Sequence, residues 1–213
     1  MAGCPTILGM ANPHDTATPP RRRRSDARRS IDAILNAARI VLGERPDATM
    51  EDIAATAGVT RQTVYAHFPS RDALIAALVE TAAAEYATLL DDADLDTAPP
   101  ADALAQFLSA GWRFLGRYPL LLNAGAAQIP RPHSDPHDTA PPRLERLIQR
   151  GQHTGDFDPS LPAAWLAAAI LGLQHTAAAQ VATGHLTTHE AEALCLESTL
   201  RLCGGQARRR GLS

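Results

Sequence analysis

Residues 50–71 read MEDIAATAGVTRQTVYAHFPSR, two short apolar-faced segments with a glycine between them. Thr49, just ahead, can cap the first because its hydroxyl accepts from a free backbone N–H, and Glu51 and Asp52 put negative charge at the positive end of that helix. Ile53, Ala54 and Ala57 form its inner face. Gly58 can take the left-handed backbone conformation that ends a helix; Val59 then turns inward and Thr60 caps the next helix. The pattern is a helix-turn-helix.

The second helix, Arg61 to Phe68, hides Val64 and Phe68 at i, i+4 and leaves Arg61, Gln62, Thr63, Tyr65 and His67 outside. In a major groove, Arg suits guanine and Gln suits adenine, so Arg61, Gln62 and Thr63 are the expected base readers. Thr49, Tyr65, His67 and Arg71 are the expected phosphate contacts, with Thr60 on the same surface as the cap. The competing interpretation is a packed helical pair with no DNA. Five exposed polar residues on one short helix weigh against it.

The run GVTRQTVYAHFPSRDAL, 58–74, resembles the N-terminal signature of the TetR family of transcriptional regulators. The similarity extends over about Asp26 to Glu80. At Arg71 the family often has Lys, so the charge is kept but not necessarily the geometry. The resemblance implies an all-α fold of about nine helices, a three-helix DNA-binding head and a C-terminal domain that binds ligand and dimerises.

Composition agrees with a compact helical protein. At 213 residues the chain can bury a sizeable core. All 20 basic residues are Arg, and net charge is −3. Charge is regional: from Arg21 to Arg45 eight arginines face three acidic residues, a net of +5 beside the reading head, where phosphate attraction would need it. Cys4, Cys195 and Cys203 show no CxxC spacing and no secretory signal is visible, so a reducing cytoplasm is expected. Pro159–His189 carries no formal charge. Its continuous apolar part, Leu161–Leu173, falls short of the roughly 18 residues a membrane span needs, so no membrane partner is expected.

Outward from the head, residues 1–24 read as a disordered arm with Pro5, Pro13, Pro19 and Pro20, closed by Arg21–Arg24. That basic run reads equally as a DNA-following arm and as a solvated tail. Residues 25–71 are then the DNA-binding domain, 72–205 the ligand-binding and dimerisation domain, and 206–213 a basic tail. Asp26–Gly43 braces the head with Ile31, Ile34, Leu35, Ala38, Val41 and Leu42 at helical period. A long helix from Asp72 onward touches the head at one end and the rest of the protein at the other, a geometry that can carry a displacement.

Aromatic residues gather in the second half. Phe107, Trp112, Phe114, Tyr118 and Trp165 are candidates to line an apolar cavity, with Gln174 and His175 as polar anchors. Residue by residue, ordinary core packing is the competing reading. Pro130–Pro142 holds five prolines with His133, Asp135, His137 and Asp138; Pro136 opposes the helix that would align the histidines, so a loop is expected and no metal. No cofactor is expected either. A short helix, Arg143–His153, follows.

Leu161–Thr183 and Thr188–Cys203 carry apolar residues round much of their circumference. One core cannot bury both faces, and many alanines would let backbones approach. A twofold four-helix interface through Leu166, Ile170, Leu173, Ala177, Val181, Leu196, Leu200 and Cys203 is therefore expected. The resemblance implies the same homodimer. Together these features give a homodimeric repressor bound to a pseudo-palindromic operator in double-stranded DNA and released by a small apolar or aromatic effector. The alternatives are a regulator whose C-terminal half binds a protein, and a helical enzyme. The chain has no GxSxG, HExxH or Gly-Lys phosphate loop, which argues against the enzyme.

Overall fold

The computed structural model describes residues 20–122 and 136–204. These form α1 (Pro20–Glu44), α2 (Met50–Ala57), α3 (Arg61–His67), α4 (Arg71–Asp91), α5 (Pro100–Arg117), a 3-10 turn at Pro119–Leu122, α6 (Pro136–Thr154), α7 (Ala163–Ala182) and α8 (Thr188–Leu202). The fold is all-α, with eight α-helices and the one 3-10 turn among the described residues where about nine helices were expected.

Local chemistry sets the boundaries. Thr49 accepts from the Asp52 N–H at 3.2 Å while the Asp52 carboxylate accepts from the Thr49 N–H at 2.8 Å, a reciprocal capping box. Thr187 and Glu190 repeat the device at the start of α8. Gly58, at φ 68°, ends α2, and its N–H and that of Val59 return to Ala55 and Ala54. Ser70 caps α4 by accepting from Ala73 at 3.1 Å.

Two boundaries differ from the sequence expectation. α1 begins at Pro20 and takes Arg21–Arg24 into its first turns; proline at a helix start has the right φ already and forfeits an N–H that had no partner there. The remainder of the arm, 1–19, lies outside the described residues, as does the basic tail. α6 begins at Pro136 and runs through Pro141 and Pro142, where a loop to 142 was expected. Those prolines lack two N–H donors, but Ala140, Leu144, Leu147 and Ile148 are buried along the same helix, and that packing favours continuing it. His133 and Asp135 lie outside the described residues.

α4 is the axis of the molecule. It packs on α1 at the head end and on α5 and α6 beyond it, which is why Leu74, Ile75, Leu78, Val79, Ala82, Ala83, Tyr86 and Leu90 are all buried. It is also long and apolar enough, by length and composition, to cross a membrane; here those apolar residues face other helices. α7 packs on α6 and α8, and α8 also meets α5. The deepest side chains, among them Phe107, Leu104, Leu144, Ile148, Leu166 and Ile170, are less than 2 % exposed, and burying each contributes about 1.5–3 kcal/mol. Arg150 of α6 donates to the Leu95 and Ala98 carbonyls, both at 2.8 Å, fixing the α4–α5 connection.

Candidate nucleic-acid interface

A seven-residue helix has too few internal hydrogen bonds to persist alone, so α3 depends on what holds it. Val64, fully buried, and Phe68 anchor its inner side. Thr60 caps it by accepting from the Thr63 N–H at 3.1 Å. The face turned away from the core carries Arg61, Gln62 and Tyr65, all exposed, with Thr63 and His67 half-buried at its edges.

Arg61 is the most constrained of these. Its Nη1 donates to the Glu51 carboxylate in the first turn of α2, and its guanidinium carbon lies 5.3 Å from the centroid of the Tyr65 ring. Hydrogen bonding to Tyr65 and then to Glu51 raises its pKa further above the ordinary range, so it stays a cation. Gln62 is exposed and free to present both its amide donor and its acceptor. The Thr63 hydroxyl is 2.9 Å from that of Thr60, a local pair that occupies part of its hydrogen-bonding capacity.

The expected phosphate contacts separate into two kinds. Tyr65 is exposed, and the His67 ring lies tilted beside Phe68 with centroids 6.5 Å apart. Thr49 is committed to its capping box, its hydroxyl donating to Asp52 Oδ2 at 2.7 Å. Those bonds from Thr49, with Arg45 nearby at 3.5 Å, hold the Asp52 carboxyl below its ordinary pKa. Arg71 corrects the sequence expectation. Its guanidinium turns back to donate to the Pro46 carbonyl and, at 3.5 Å, to that of Ala48. It clamps the α1–α2 loop to the start of α4, since those carbonyls end outside any helix and need donors.

The aromatic residues do not form one cavity. Phe114, Gln174 and His175 do come together, with Tyr86, Gly111, Leu115, Leu121, Ala140 and Leu171, round a space of about 30 Å³, roughly what one water occupies. Tyr86 stacks on Phe114 at 4.4 Å, and Phe114 meets Tyr118 at 5.4 Å. Burial raises Tyr86 well above the ordinary tyrosine pKa and Tyr118 to about 12, so both stay neutral. Tyr118 itself lies beside a neighbouring gap with Arg39, and Phe107 is in the core. Trp112 lines a different groove, of about 250 Å³ between α5 and α8, with Ser109, His189 and Glu192. Trp165 is 63 % exposed on α7 and faces away from the cavity. Tyr86 and Gly111 were legible in the sequence as positions on the apolar faces of their helices but not as cavity residues, because helical period does not say which part of a face borders a gap.

The expected dimer residues also divide. Leu166, Ile170 and Cys203 point into this chain's own core, at 1 % exposure or less, and are not available to a partner. Leu173, Ala177, Val181, Leu196 and Leu200 are half-buried. The open apolar surface instead carries Leu161, Trp165 and Leu194. α7 is apolar all round, so its pattern could not say which side turned inward.

The family model "Bacterial regulatory proteins, tetR family" matches residues 34–78, which span the second half of α1, all of α2 and α3, and the start of α4. The HTH-type transcriptional repressor LfrR of Mycolicibacterium smegmatis is 43 % identical over 68 residues, 32 % of this chain and 33 % of that protein. The chain thus aligns with about a third of the length of that relative. Among solved structures, LfrR from Mycobacterium smegmatis in complex with proflavine has a TM-score of 0.63 at 23 % identity, covering 84 % of this chain and 97 % of that one. FadR from Bacillus subtilis in complex with stearoyl-CoA has a TM-score of 0.65 at 17 % identity, covering 82 % and 98 %. A tetR-family regulator from Rhodococcus RHA1 reaches 0.69 at 20 % identity, covering 82 % and 96 %. At those identities the structures speak for the fold alone, while the match over 34–78 falls on the capped helix pair and its buried anchors: residues 34–78 of this chain are a segment of the tetR family of bacterial regulatory proteins.

Proposed function

We propose that the protein is a homodimeric, sequence-specific DNA-binding repressor that leaves its operator when a small organic ligand occupies the C-terminal domain. The observation that carries the reading is the outward face of α3, where Arg61 and Gln62 stand exposed on a helix fixed from behind by Val64 and by caps at both α2 and α3. One such helix reads only a few base pairs, so two heads about 34–36 Å apart on a pseudo-palindrome give useful specificity. The outer face of α7 and α8, with Trp165 63 % and Leu194 50 % exposed, supports a second copy as the occupant.

The ligand reading rests on the cavity between α4, α5 and α7, whose polar groups Gln174 and His175 sit among Phe114, Leu115 and Leu171. Related folds bind proflavine and stearoyl-CoA. At about 30 Å³ the space is too small for an organic ligand, so an effector has to enlarge it by moving α5 or α7 against α4, which also packs on α1 of the head. A coupling of about 1–3 kcal/mol would weaken DNA affinity roughly 5- to 150-fold.

The test is binding to the DNA upstream of the protein's own gene across a salt series, with Arg61→Ala as the control. Tight binding by a dimer, with sequence preference lost at one position of each half-site in the variant, supports the reading. Weak binding, equal on any duplex and unchanged in the variant, would overturn it.

A further inference from the structure

We propose that Glu51 is a specificity-determining residue of the DNA interface, acting by sharing the Arg61 guanidinium so that a guanine edge can use it and a phosphate cannot. The proposal rests on the DNA-binding reading above and goes beyond it, because the acidic residues at the start of α2 otherwise serve only the helix end.

The geometry places an anion on a surface that must meet a polyanion. Glu51 lies in the first turn of α2 and Arg61 in the first turn of α3, their side chains 62 % and 59 % exposed and joined through Nη1. The Tyr65 ring lies beside the guanidinium at 5.3 Å and limits its plane. Neither residue is buried, so the pair itself adds little to the stability of the free protein.

Its consequence appears when DNA arrives. Arg presents five N–H donors in a flat fork, and Glu51 engages only part of it. The O6 and N7 atoms of guanine are neutral acceptors, so they can take the remaining donors while the carboxylate stays in place. A phosphate competing for the same fork carries its own negative charge and has to approach the carboxylate to reach it. Like-charge apposition is unfavourable, and more so in a site that excludes water. Glu51 therefore lowers sequence-independent binding more than base reading. The acid at this position costs total affinity and increases discrimination, a repulsive element aimed at the wrong target.

Glu51→Gln removes the charge and keeps the shape. Asp52, not Glu51, completes the capping box, so α2 has no reason to unfold, and circular dichroism checks this. Two probes are used: a 24-base-pair duplex of random sequence, and the duplex most enriched by selection from a random pool on the wild-type protein. In Glu51→Gln, affinity for the random duplex is expected to rise about three- to tenfold, with a salt slope steeper by about one, the signature of one added phosphate contact. Affinity for the enriched duplex rises less, so the ratio of the two falls severalfold. Glu51→Asp restores part of the ratio. In an Arg61→Ala background the Glu51→Gln effect should largely vanish.

An equal rise on both duplexes, or the same rise with and without Arg61, would mean that Glu51 only adds general negative charge, and the proposal fails while DNA reading stands. A selection that enriches nothing would remove the DNA reading and this assignment together.

Discussion

Gln174 of α7 lies across Gly111 of α5, where a Cβ would come within 2.3 Å of Nε2 and 2.6 Å of Oε1. The amide, 3 % exposed, donates to the Leu108 carbonyl at 2.8 Å. A buried polar side chain needs such a partner, and here it is available because α5 has no side chain at 111. Gly111→Ala is expected to lower stability by about 1–3 kcal/mol, as overpacking does. Urea unfolding should show that loss in the wild type and little of it in a Gln174→Ala background. An equal loss in both would mean that Gly111 matters for something other than this contact.

Arg71 makes its bonds to the Pro46 and Ala48 carbonyls. Arg71→Ala should destabilise the head by about 1.5–3 kcal/mol, the scale of hydrogen bonds to a charged group. DNA affinity would fall on all sequences, with the slope against salt nearly unchanged. A shallower slope with unchanged thermal stability would instead return Arg71 to the role of a phosphate contact.

Trp165 and Leu166 are neighbours with opposite surroundings, one 63 % and the other 1 % exposed. Trp165→Ala should weaken self-association by at least about 2 kcal/mol, roughly thirtyfold, if it anchors a dimer as exposed tryptophans at interfaces do. Leu166→Ala should cost about 2–5 kcal/mol of folding stability through a cavity. Sedimentation and thermal melting separate the two effects, and a Trp165→Ala protein that associates like the wild type would move the interface elsewhere.

Asp52 and Glu190 both have their pKa values held below the ordinary 3.8 and 4.5, each first by the side-chain hydrogen bond from its capping threonine. A carboxylate with a lowered folded pKa contributes stability that is complete above its unfolded pKa and is lost as pH falls toward the folded value. The stability difference between wild type and Asp52→Asn should thus be constant above about pH 5 and shrink below about pH 4. Urea midpoints measured from pH 7 to pH 3 check it; a difference that grows on acidification would contradict the capping box.

Much of the head was legible because its signals are local. Thr49, Asp52, Gly58, Thr60 and Ser70 each act on backbone groups within a few residues of themselves, so composition and spacing suffice to place α2, α3 and the start of α4. The inner face Ile53, Val64 and Phe68 follows from the helical period alone. The outward side of α3 was equally visible as what remained. What escaped there were bonds made over distance. That Arg71 would find loop carbonyls 23 and 25 residues back, and that Glu51 would meet Arg61, depends on how α1, α2 and α3 cross.

The second half shows the opposite balance. The sequence by itself determined that Ala163–Ala182 and Thr188–Leu202 lie in helices. Tertiary structure alone decided which side faces inward. On a helix apolar all round, periodicity has no preferred direction, and the orientation is set by which neighbours can accept it: Gln174 lies against the bare backbone of α5 at Gly111, on the inward side with Leu166 and Ile170, while Trp165 is left outside.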